Sequence, residues 1–154
     1  PGAPRAWRSA PHGFELTVPS ERWKEVAKPR AVAEFVADRP AVTGLVLEVV
    51  SAKTDAEFDA VMAKYQKAPR EAPLTDVAER TGPNAHGRPH WAQTGDTRVK
   101  DGTGHVGVSV TRVGEKAVVL LFEATIPPRL SETARGQVTA AARAQAETFL
   151  GSVR

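Results

Sequence analysis

The chain predicts an α+β fold, one antiparallel sheet with helices covering its faces, and three observations carry that reading. Short segments alternate apolar and polar residues with the period of two that half-buried strands require. Turn residues separate several of these segments so closely that neighbours should pair antiparallel. Two other stretches instead carry helix caps followed by apolar residues at helical spacing.

Taken in order, the first strand is "GFELTV": Phe14, Leu16 and Val18 face inward, Glu15 and Thr17 outward. Pro19 has no amide hydrogen to donate and closes it. The preceding residues, 1–12, read as a linker or trimmed arm that itself holds no targeting segment, and a single domain is expected over 13–154. A second strand is expected in "RAVAEFVA" (Arg30–Ala37), then a turn at Asp38–Pro40. The β-branched and leucine-rich "TGLVLEVVSA" follows as a third.

Thr54 and Glu57 then form a Thr-x-x-Glu capping box, and Phe58, Val61, Met62 and Tyr65 fall on one helical face. Pro69 bars continuation, so this helix should end near Lys67. A further strand is expected around Leu74–Glu79, followed by a loop, and another in "HWAQTGDTRV". Asp101-Gly102 signals a turn into "HVGVSVTRV", and Gly114-Glu115 a tight hairpin into "KAVVLLFEAT". That last strand is apolar on both faces and so belongs in the centre of a sheet.

Pro127-Pro128 break the chain before a final helix, with Ser131 as N-cap and Glu132 in its first turn. Its apolar stripe runs through Leu130, Ala134, Val138, Ala142, Phe149 and Val153. Alanines at 140, 141, 142, 144 and 146 keep it slim enough to lie close on a sheet. Gly136 within it costs roughly 1 kcal/mol relative to alanine.

With 154 residues, 41% of them hydrophobic and 25% charged, the chain has the size and composition of one domain with its own core. It has no 18-residue apolar run to span a membrane. It has no cysteine, which excludes disulfides, thiol nucleophiles and thiolate metal sites. The net charge of +3 lies entirely in residues 1–30, where six Lys/Arg face three acids. Those bases are interleaved with Glu15, Glu21 and Glu25, the pattern of a solvated surface and not of a phosphate track, so no nucleic-acid partner is expected.

Catalytic motifs are weak. "GTGHVG" places Gly102, Gly104 and Gly107 in a G-x-G-x-x-G pattern. A strand follows it, however, where a dinucleotide site needs a helix N-terminus, so no cofactor is expected. His86, His90 and His105, with Asp96, are the weak metal candidates. Gly87 and Pro89 forbid the helix that would make His86-x-x-x-His90 a ligand pair, although His90 and His105 would face each other if they lay on neighbouring strands. Ser51 and Ser109 lack the context of a nucleophilic serine. Glu48 and Glu123, in apolar strands, would make an acid/base pair if they met on one sheet face. Trp7, Arg8, Arg22 and Trp23 combine the residue types enriched at interface hot spots and form the candidate binding edge.

"GFELTVPSERW", with its Gly-Phe strand running into proline and then tryptophan, resembles the opening of PsbP-like domains. The similarity continues through the capped "TDAEFDAVMAKY", the glycine-containing "HGRPHW", the hairpin and the final helix, covering Gly13 to Leu150. The resemblance implies an α-β-α sandwich of the superfamily that includes extrinsic photosystem proteins, Mog, and the LpqN- and DcrB-type bacterial envelope lipoproteins. It implies an accessory or assembly module binding a protein or small ligand, without catalysis, in an exported or cell-envelope setting, with a cytoplasmic one as the alternative. It carries over no functional residues. Two other readings stand beside it: a metal-dependent or acid/base hydrolase using His86, His90 and His105, and a targeting or cargo domain of a longer protein.

Overall fold

In a computed structural model, residues 3–39, 41–68, 72–99 and 102–154 are described. The elements among them run β1 (Arg5–Ser9), β2 (Phe14–Val18), β3 (Lys24–Glu25), β4 (Ala33–Ala37), β5 (Val42–Ser51), α1 (Asp55–Gln66), β6 (Thr75–Pro83), β7 (Pro89–Val99), β8 (Gly102–Val113), β9 (Lys116–Ile126) and α2 (Glu132–Leu150). Pro40, Pro69 and Asp101, on which expected turns and the helix stop depended, lie outside the described residues.

Strands β3 to β9 form one seven-stranded sheet in the order β3-β4-β5-β9-β8-β7-β6, with every pairing antiparallel. The doubly apolar strand, β9, is its middle member, as its sequence requires. Val118, Leu120, Phe122 and Ala124 feed the core on one face, and Ala117, Val119 and Leu121 the cluster on the other. Gly114, at φ +58, makes the two-residue hairpin between β8 and β9.

The expected α-β-α sandwich is corrected. Strands hold 48% of the described residues and helices 21%, so the fold is β-rich, with too little helix to make the two outer layers of a sandwich. The two helices contribute unequally. α2 docks Ala142, Ala146, Phe149 and Leu150 into the main core, and Gly107 lets it come close, since a Cβ there would lie 2.7 Å from Leu150 Cδ1. α1, starting at the expected Thr54–Glu57 capping box, buries only Phe58 fully; Val61, Met62 and Tyr65 remain half-buried against one end of the opposite face.

The expected arm is also corrected. Residues 5–9 form β1, which pairs with β2 in a separate two-stranded ribbon. The cause is Trp7, whose ring packs edge-on against Phe35 at 5.5 Å and tilted against Phe14 at 6.2 Å. β2 keeps its expected alternation, with Phe14, Leu16 and Val18 buried, but it lies outside the main sheet. Ser152–Arg154 clasp this ribbon: Glu15 and Arg154 exchange backbone hydrogen bonds at 3.0 Å, and Thr17 N–H donates to Ser152 Oγ.

Candidate functional site

The expected binding edge is not assembled. Trp23 is fully buried, stacked edge-on against Phe149 at 4.8 Å and tilted against Phe122, where it joins α2 to the sheet. Its indole N–H has no hydrogen-bond partner among the described residues, consistent with a ring placed for packing. Trp7 is half-buried and donates to Glu25 Oε2 at 3.1 Å. Arg8 and Arg22 are exposed, and the guanidinium that reaches Trp23, through its carbonyl, is that of Arg5.

The histidines are likewise dispersed. His86 lies exposed in the turn between β6 and β7. His90 pairs across the ladder with Thr111, and its Nδ1 lies 2.8 Å from Thr111 Oγ1. Burial, reinforced by the positive charge of Arg80, lowers its pKa and keeps the imidazole neutral. His105 pairs instead with Asp96. The two rings share the α2 face of the sheet but stand six residues apart along it, roughly 20 Å at strand rise. Among the described residues no group of three or more metal-ligating side chains converges.

His105 Nδ1 donates to Asp96 Oδ1 at 2.8 Å, and Arg143 of α2 donates to the other carboxylate oxygen. Burial alone would raise the Asp96 pKa; the hydrogen bonds from His105 and Arg143 more than offset it and hold the carboxyl below its ordinary value. This triplet ties α2 to the β7–β8 ladder. Among the described residues it has no nucleophile beside it: Ser109 is fully buried two ladder rows from His105, and no described group bonds its hydroxyl.

Glu48 and Glu123 do share one sheet face, as their strand positions allow. They stand four residues apart in the register, roughly 14 Å, and do not pair. Glu48 accepts a hydrogen bond from Tyr65 at 2.7 Å; burial, then this carboxylate, pushes the phenol up to about 12.

The face that holds these two glutamates is the one α1 covers only at an end, and the uncovered part is a groove of about 610 Å³. Its floor is built from cross-strand neighbours: Val36, Gly44, Glu123 and Val106 in one row, Glu34, Val46, Leu121 and Val108 in the next. Val42 and Val36 are 68% and 42% exposed there. Gly44 leaves the floor open between Val36 and Glu123, since a Cβ at that position would meet only the Phe35 carbonyl, at 3.9 Å. Tyr65 walls one side. The other carries Arg30, which grips Glu34 at 2.7 Å; the bonded guanidinium holds the Glu34 carboxyl below its ordinary value.

This groove was missed in the sequence. Its one local signal was Gly44, a glycine inside a β-branched strand, which often marks a point of close approach. Compared with models of known protein families and with curated proteins, the chain matches none. None of its described helices is long and apolar enough to cross a membrane.

Proposed function

We propose that this chain is a non-catalytic binding module that holds a small apolar ligand in the groove on the α1 side of the sheet. The observation that carries the reading is a contiguous aliphatic floor, Val36, Val42, Val46, Val106 and Leu121, left open to solvent in a cavity of about 610 Å³. That volume falls in the usual range of small-molecule sites, and exposed aliphatic surface of this kind gains free energy on being covered. The scattered histidines and the nucleophile-free His105–Asp96 pair supply no competing constellation for chemistry.

The test is calorimetric titration with decanol, a neutral aliphatic probe. The wild-type protein is expected to bind it saturably. Gly44→Leu, which fills the floor without a backbone clash, should abolish binding while leaving the circular dichroism and unfolding midpoint near those of the wild type. Absence of saturable binding to the wild type, or binding unchanged by Gly44→Leu, would overturn the assignment.

A further inference from the structure

Among the described residues, the groove carries an apolar floor and also one charged side chain that makes no ion pair. Three charged side chains among the described residues line it: Arg30, Glu34 and Glu123. Arg30 and Glu34 cancel each other, joined by a guanidinium–carboxylate contact at 2.7 Å, an Nε–Oε1 hydrogen bond at 3.0 Å and a bond from the Arg30 backbone N–H. Nearby, Glu48 is engaged by the Tyr65 hydroxyl, and Lys64 lies over the Tyr65 ring, 5.6 Å from its centroid. Glu123 makes no ion pair among the described residues and is exposed, although its field reaches Arg30.

The position of Glu123 gives that charge a use. It stands in one cross-strand row with Val36, Gly44 and Val106, directly beside the gap left by Gly44. A small group settling over Gly44 would have aliphatic side chains around it and a carboxylate at its flank. An anion placed there would face the Glu123 carboxylate, and the Arg30 charge that could attract it is already paired with Glu34.

Resting on the binding function proposed above, we infer that the groove selects an amphiphile with an aliphatic body and a cationic, ammonium-type head. The body lies along Val46, Leu121 and Val106, and the head sits over Gly44 against the Glu123 carboxylate.

Decylammonium, decanol and decanoate share one chain and differ in head charge, so titrating each below its aggregation concentration at neutral pH isolates the head. Decylammonium is expected to bind roughly fivefold tighter than decanol, the scale of one partly exposed ion pair. Decanoate should bind more weakly than decanol. Glu123→Gln should bring decylammonium to the affinity of decanol and leave decanol unchanged. Equal binding of decylammonium and decanol, tightest binding of decanoate, or indifference to Glu123→Gln would overturn the head-group assignment while the groove itself stood. Failure of all three probes to bind would remove the groove function as well.

Discussion

The Asp96 carboxylate sits between donors from two layers of the fold, His105 on the neighbouring strand and Arg143 on α2. Its side chain is mostly buried, so the charge is tolerable only because both partners are present. The sign of the pH effect follows. A carboxyl with a folded pKa below its unfolded value contributes stability that is complete above the unfolded value, about 4, and is lost as pH falls through the depressed folded value. Asp96→Asn should therefore cost about 1–3 kcal/mol at pH 7, the scale for removing a charged partner from buried hydrogen bonds. The deficit should shrink steadily below pH 4. Urea unfolding of both proteins across that range measures it; a deficit that is constant with pH would show that the ion network contributes nothing. Residue types alone singled out His105 and Asp96 in the sequence, but as metal ligands. Their actual role depends on Arg143, 47 residues from Asp96 in sequence, a contact that no local pattern encodes.

At the scale of elements, the two helices show what apolar spacing conveys and what it omits. α2 meets its expected cap, with Ser131 Oγ accepting from the Ala134 N–H, and its alanine-rich face reaches the sheet. α1 meets its expected capping box just as fully, yet its stripe reaches only the end of a face. Periodicity reports that a face is apolar; the area it covers depends on where the tertiary structure places the helix, and that difference undid the helix-flanked sandwich. β1 shows the converse error. "RAWRS" has no apolar alternation, and one aromatic ring docking on Phe35 recruits it into a strand. Glycines divide along similar lines. Gly136 in α2 is exposed, and a Cβ there would meet nothing within 4 Å. Gly136→Ala should stabilise the protein by about 0.5–1 kcal/mol, read as a higher urea midpoint at unchanged slope. No gain would mean that Gly136 serves some need other than packing.

Across the whole molecule, the sheet is asymmetric in depth as well as in face. Its centre, β5-β9-β8, is flanked by strands on both sides and carries buried residues on both surfaces, whereas β6 is an edge strand with exposed side chains along most of its length. β6 is also broken in register between Thr75 and Ala78, where Asp76 adopts φ +49. Such a bulge disrupts the ladder locally and twists an edge away from further pairing. Local opening should follow this gradient, because its free energy rises with the buried apolar contacts that must be given up. Native-state hydrogen exchange should therefore find the β6 amides exchanging through local fluctuations that are nearly independent of denaturant. The amides of Val118–Phe122 in β9 should exchange only through global unfolding, with the full denaturant slope. The α1 amides should fall between these limits, since that helix holds to the sheet chiefly through Phe58. Equal protection in β6 and β9 would mean that the edge is held by interactions other than the ladder and core described above. Faster exchange in α2 than in α1 would equally contradict the packing, because α2 carries four buried side chains into the main core and α1 carries one into the smaller cluster.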